Sequence, residues 1–155
     1  MDDLPVRLGD VVTFAKTVGE TDVYLFAGIS GDFGTNHINQ AHMEKTPYGA
    51  RIAHGAMLLA FVSAASTKLV ERLPANHTLT PVNLGYDRIR FIEAVYIGDT
   101  ITVTYKVNAI DTQRLRATCR AEITNQNGAL VAVAENLLKW VPLPTGPLAP
   151  KDCRG

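Results

Sequence analysis

Residues 26–66 read FAGISGDFGTNHINQAHMEKTPYGARIAHGAMLLAFVSAAS, and the second half of this stretch decides the fold. Between residues 56 and 65 only Ser63 is polar, so no polar face recurs at helical spacing. Helix formers dominate, and neither Gly nor Pro interrupts between residues 56 and 73. These features predict one helix over about residues 54–73, stopped by Pro74 and roughly 28 Å long at 1.5 Å per residue. A helix without a polar face is expected to be buried all round. It is too short to span a membrane, because Lys68, Glu71 and Arg72 close the apolar run. Ala56, Ala60 and Ala64 lie four apart and make a strip of small residues that admits another backbone closely. Something must wrap such a helix, and the second half of the chain is the only candidate.

That second half changes to a period of two. Val82, Leu84 and Tyr86 share one parity and Ile89 and Phe91 the other, which predicts a bulge near Asp87. Tyr96-Ile97-Gly98-Asp99 is a turn into a strand over residues 100–107, where Ile101, Val103, Tyr105 and Val107 alternate. Residues 115–124 and 129–141 read as two further strands joined by the hairpin turn Asn125-Gln126-Asn127-Gly128. Upstream, residues 11–18 form a short strand that ends at Gly19. Thr21 is the expected N-cap of a short amphipathic helix carrying Val23, Leu25, Phe26 and Ile29 and ended by Gly31. Thr46-Pro47-Tyr48-Gly49 is a turn before the long helix. The expected fold class is α+β, a curled antiparallel sheet around one long helix. An edge strand left open on such a sheet favours pairing with a second copy.

At 155 residues the chain suits one domain, taken as residues 1–141, with a tail over 142–155 where Pro142, Pro144, Pro147 and Pro150 oppose regular structure. Fifteen basic residues (Lys plus Arg) balance fifteen acidic ones, which gives no electrostatic case for nucleic acid or an anionic membrane as partner. Two cysteines, Cys119 and Cys153, make neither a disulfide framework nor a metal spacing, and they read as reduced thiols of a cytoplasmic protein. The start, MDDLPVRLGD, lacks the basic-then-apolar pattern of a signal peptide. No metal site and no phosphate loop is expected.

The chemistry concentrates in the polar half of the opening stretch. Asp32 and His37 lie five residues apart in a loop that leads to the helix. A carboxylate and an imidazole held together make an acid/base pair able to handle one water molecule. The plain alternative is an Asx turn beside a solvated histidine. His54-Gly55 falls at the expected helix start, where free amide groups stabilise a carbonyl oxygen that gains negative charge. Gly55 lets a ligand approach the backbone, while His54 is expected to cap or pack. Ser63 and Ser66 are hydroxyls on an apolar helix, and buried helix serines commonly bond back to the preceding turn. His42 and His77 read as surface histidines. Arg88 and Arg90 share one parity after the helix and either face solvent or grip a phosphate.

FAGISGDFGTNHIN followed by YGARIAHGAM resembles the signature of the MaoC-like hotdog dehydratases, which include (R)-specific enoyl-CoA hydratases. LGYDRIRFIEAVYIGDTI resembles that family's strand after the central helix. The resemblance covers about residues 8–140. It implies the hotdog fold, Asp32 and His37 as the catalytic pair, the Gly55 amide on the thioester oxygen, and Ser63 as a lining residue. It also implies a homodimer or dimer-based oligomer that takes an acyl-CoA or acyl-carrier-protein thioester, with no cofactor beyond the CoA of the substrate. Asp32 is expected as base and His37 as proton donor. Phe33, Gly34 and Asn36 are expected along the substrate, and Arg88 and Arg90 at the CoA phosphates. This chain departs from the pattern where Gly34-Thr35 replaces Asn-Pro, where Asn39 replaces Asp, and where Asn36 is polar. The competing expectations are a hotdog thioesterase and a non-catalytic acyl-thioester-binding subunit.

Overall fold

The computed structural model describes residues 4–72 and 78–144. The predicted end of the long helix at residue 73, His77, Cys153 and the tail beyond Pro144 lie outside them. The elements in order are β1 (Val11–Thr17), α1 (Glu20–Ser30), α2 (Thr35–Ile38), α3 (Gln40–Met43), α4 (Gly55–Val70), β2 (Leu79–Phe91), β3 (Thr100–Asp111), β4 (Arg116–Thr124) and β5 (Leu130–Pro142). The five strands form one sheet in the order β1-β3-β4-β5-β2, with every neighbouring pair antiparallel. No helix among the described residues is long and apolar enough to cross a membrane.

Period-two patterning does what it should on β3 and β4. Ile101, Val103, Tyr105 and Val107 point into the core, as do Ala117, Cys119, Ala121 and Ile123. They join Met57, Leu58, Phe61, Val62, Ala65 and Leu69 of α4 in one apolar cluster. Gly49, Gly98 and Gly128 close their turns with positive φ, at the three places where the sequence predicts them. β5 runs through Pro142, the first proline of the expected tail. It pairs there with Leu79 at the strand end, where a missing N–H costs least.

Four expectations need correction. The first helix starts at Glu20, so its N-cap is Gly19 rather than Thr21, and the Asp22 carboxylate accepts the Gly19 N–H at 2.8 Å. α4 is not covered all round within one chain. Ala56, Ala60, Ser63 and Thr67 form an exposed strip, because a five-stranded sheet curls over only part of the helix surface. Strand β2 carries two irregularities instead of one. The predicted bulge lies between Asp87 and Arg90, with Arg88 at φ 50°. A second lies between Asn83 and Gly85, where Asn83 Oδ1 accepts the Gly85 N–H. Leu84 is thereby looped out, so Val82 and Leu84 are exposed while Tyr86 packs on the core. Lastly, β3 extends to Asp111 and passes a further register shift between Val107 and Ala109.

Beneath the β2 irregularity sits a buried polar knot. Tyr105 donates its hydroxyl hydrogen to Asn136 Oδ1 at 2.5 Å, and Asn136 Nδ2 donates to Asn83 Oδ1 at 2.9 Å and the Gly85 carbonyl at 3.0 Å. This satisfies a fully buried asparagine and fixes the register of β2 against β5. Burial raises the Tyr105 phenol far above its ordinary range, and it pushes the Cys119 thiol up to about 11.

Candidate active site

The polar loop is folded by its own short-range bonds. Gly31 ends α1 in the left-handed region at φ 79°, with its N–H on the Ala27 carbonyl. Asp32 Oδ1 then accepts the Gly34 N–H at 3.1 Å, which is the Asx turn of the plain reading. That turn uses one carboxylate oxygen and leaves Oδ2 free to face His37. The single turn of α2 carries His37 back under the loop, so His37 is buried rather than solvated.

His37 is held from one side. Its Nδ1 lies 2.8 Å from the Ile52 carbonyl, which only accepts, so Nδ1 carries the hydrogen and Nε2 is the nitrogen left for chemistry. Asp32 Oδ2 stands 3.9 Å from Nε2, and the carboxylate side chain is 55% exposed. The segment that presents Ile52 is itself pinned. Its N–H donates to the Asn36 carbonyl at 3.0 Å, and the Ala53 N–H donates to Val95 O at 2.7 Å. Arg51 pairs with Glu20 and donates to the Tyr24 hydroxyl, tying this segment to α1. The hydrogen bond to Glu20 holds the Arg51 guanidinium more firmly in its charged form.

The remaining support is a residue expected only to cap or pack. His54 is fully buried, precedes α4, and makes no side-chain cap. Its ring stacks on His37 with centroids 3.7 Å apart and leans on Phe26 at 4.9 Å. Its Nε2 donates to the Asp32 carbonyl at 2.9 Å, while Nδ1 is buried without a partner. His54 therefore joins both members of the pair, stacking on one and tethering the backbone of the other. Its signal in the sequence was its place immediately before Gly55.

Asp32, His37 and His54 bring potential ligand atoms within 4.8 Å of one another. Their geometry does not suit an ion. Imidazole lone pairs lie in the ring planes, and two rings stacked 26° from parallel project them side by side rather than towards one point.

Gly55 is the first residue of α4, and its N–H and that of Ala56 have no acceptor within the helix. His37, Asn36, Gly55, Ala56, Leu58 and Phe91 contribute to the wall of one cavity of about 330 Å³. A Cβ on Gly55 would lie 2.9 Å from the Phe91 ring, so the glycine makes room on this wall. Among the other expected site residues, Phe33 is exposed and absent from this wall. Ser63 lies more than two turns along α4, in a separate groove with Ser66, Asn83 and Leu138. Ser66 bonds back to the Ser63 carbonyl at 2.8 Å, as expected. Arg88 is exposed and pairs with Glu135 at 2.9 Å, and the Arg90 guanidinium donates to its neighbour's carbonyl, Ile89 O. Neither arginine joins the cavity wall.

Known proteins resemble this chain in sequence and in fold. An (R)-specific enoyl-CoA hydratase from Rhodospirillum rubrum is 35% identical over 119 residues, which is 77% of this chain and 78% of that protein. A 3-hydroxybutyryl-CoA dehydratase from Methylorubrum extorquens is 32% identical over 138 residues, 85% of this chain and 82% of that one. The solved (R)-hydratase from A. caviae superposes with a TM-score of 0.73 at 32% identity, over 90% of this chain and 98% of the other. The fold is the hotdog, as the resemblance implied. Residues 5–128 match the model of the MaoC-like domain, and the chain belongs to that family.

Proposed function

We propose that this chain is a lyase that interconverts a trans-2-enoyl-CoA and an (R)-3-hydroxyacyl-CoA by adding or removing water. The observation that carries the reading is the 3.9 Å span between Asp32 Oδ2 and His37 Nε2, beside the unpaired N-terminal amides of α4. One water accepts that geometry. Two hydrogen bonds of about 2.8 Å that meet near a right angle reach across about 4 Å. The names of the hydratase and dehydratase relatives point the same way.

In the hydration direction the thioester oxygen lies on the Gly55 N–H, which stabilises the charge that develops as the double bond is attacked. Asp32 orients the water and accepts one of its hydrogens. His37 Nε2 takes the other proton as the oxygen bonds to C3, and returns it to C2 as the enolate collapses. Atoms balance with no outside proton. The tautomer fixed by Ile52 supports this division over the expected one, in which Asp32 is base and His37 donor, because neutral His37 has no proton on Nε2 to give. No metal or redox cofactor is needed.

We place the protein in the cytoplasm as a homodimer. The exposed Ala56–Ala60 strip on α4 and the exposed Val82, Leu84 and Phe91 of β2 support the dimer, as an apolar surface that a second copy would cover. The test of function follows the enoyl-thioester absorbance of crotonyl-CoA alongside a free-thiol assay. Loss of the double bond without thiol release is the expected result. Thiol release would make the protein a thioesterase, and no change in either would leave a binding subunit or a different thioester as substrate.

A further inference from the structure

Asn36 shares the cavity wall with His37 and Gly55, and its side chain is aimed at the reacting nitrogen. The amide Nδ2 lies 3.1 Å from His37 Nε2. Because the Ile52 carbonyl fixes the hydrogen on Nδ1, neutral His37 offers a lone pair at Nε2, and the Asn36 N–H is the matching donor. An imidazole nitrogen has one lone pair, in the ring plane. A water that gives its proton to Nε2 needs that same lone pair, so Asn36 and the reacting water exclude each other there.

Gly34 bears independently on the same bond. Its backbone, at φ −55° and ψ 140°, is open to any residue, so conformation does not demand glycine. A Cβ would stand 2.6 Å from Asn36 Oδ1, so a larger residue here would push the exposed carboxamide from its present place. The Gly34–Asn36 pair therefore makes a seat for the carboxamide over His37. His37 does not need that contact for its own placement, since Ile52 O and the His54 ring already fix it. Burial does not impose it either, because Asn36 is exposed.

We propose that Asn36 is a specificity-determining residue, whose carboxamide occupies the His37 lone pair until an acceptor oxygen on the acyl chain of the substrate draws it away. This deepens the hydratase reading and rests on it. A plain hydrocarbon chain offers nothing in exchange for the bond that must break, and the walls it meets at Ala56, Leu58 and Phe91 are apolar. A chain bearing a hydroxyl, ether or keto oxygen within reach of Asn36 receives the amide and frees Nε2. The pantetheine amides are common to every CoA thioester and do not discriminate. The substrate class assigned is thus an oxygenated enoyl-CoA.

The test compares wild type with Asn36→Leu and Asn36→Ala. The substrates are trans-2-hexenoyl-CoA and the same thioester with a hydroxyl at C5 or at C6. The expected result is that the best oxygenated-to-plain ratio of kcat/KM falls about tenfold in both variants, roughly the worth of one hydrogen bond. In wild type, the His37 Nε2 nitrogen resonance should carry the signature of a hydrogen-bonded lone pair, lost in both variants. A ratio that moves less than twofold, or a resonance unchanged by the substitutions, overturns the proposal. If wild type hydrates none of the thioesters, the hydratase reading fails and this inference falls with it.

Discussion

Replacing His54 by phenylalanine separates the tether on Asp32 from the packing around it. The new ring keeps the contacts with His37 and Phe26, now at 3.7 and 4.9 Å between centroids, but it removes the donor that holds the Asp32 carbonyl at 2.9 Å. Asp32 is exposed, so its freed carbonyl finds water, and the stability lost is that of one net hydrogen bond, about 1 kcal/mol. For a chain of this size that lowers Tm by about 2–4 °C. The catalytic cost is larger than the structural one. Asp32 Oδ2 must stay near 3.9 Å from Nε2 for one water to reach both. A misplacement of about 1 Å is worth about 100-fold in rate. His54→Phe should therefore lose about 10- to 100-fold in kcat on crotonyl-CoA while melting only a few degrees lower by circular dichroism. A kcat within twofold of wild type would show that the loop places Asp32 without this bond. A collapse of the melting transition would show that His54 serves the core instead.

Asp32→Asn and His37→Ala should each cut turnover by about 10²–10⁴-fold with folding intact, read by the same assay and by circular dichroism. Gly55→Ala drives a Cβ to 2.9 Å from the half-exposed Phe91 ring, so it should lower kcat/KM about tenfold, and Gly55→Ala combined with Phe91→Ala should recover most of that loss. Cys119 and Tyr105 are neutral in the core, and both titrate above their ordinary values, Cys119 at about 11 against 9.0. The folded state then holds protons that the unfolded chain releases. Stability is full below pH 9 and falls as pH rises to about 11, by on the order of 2–3 kcal/mol from Cys119, and Cys119→Ala should flatten part of that fall in urea midpoints. Arg88 is already paired with Glu135, so Arg88→Ala should leave KM for crotonyl-CoA unchanged, whereas Arg90→Ala should raise it severalfold if that exposed guanidinium meets the CoA phosphates.

The sequence by itself determined the long apolar helix, the strands after it, three glycine turns and the bulge near Asp87, because each is written in local pattern and chain chemistry. Periodicity is a property of neighbours in sequence, and glycine at positive φ is a local demand. It also brought Asp32, His37 and Gly55 forward, since their order along the chain matches a known signature. What it did not contain is who faces whom. Leu84 shares a parity with Tyr86 and would be placed inward with it, but Asn83 bonds the Gly85 amide and loops Leu84 out, and Asn83 is in turn held by the buried Asn136, 53 residues away in the chain. Nor did α4 announce its exposed strip, because composition says how apolar a helix is and not how far a sheet can reach around it. The tautomer of His37, the tether from His54 and the seat that Gly34 leaves for Asn36 were decided by tertiary structure alone. Each is a hydrogen bond or a close approach set by the carbonyl of Ile52, the start of α4 and the returning turn of α2, and such directions exist only once the chain is folded.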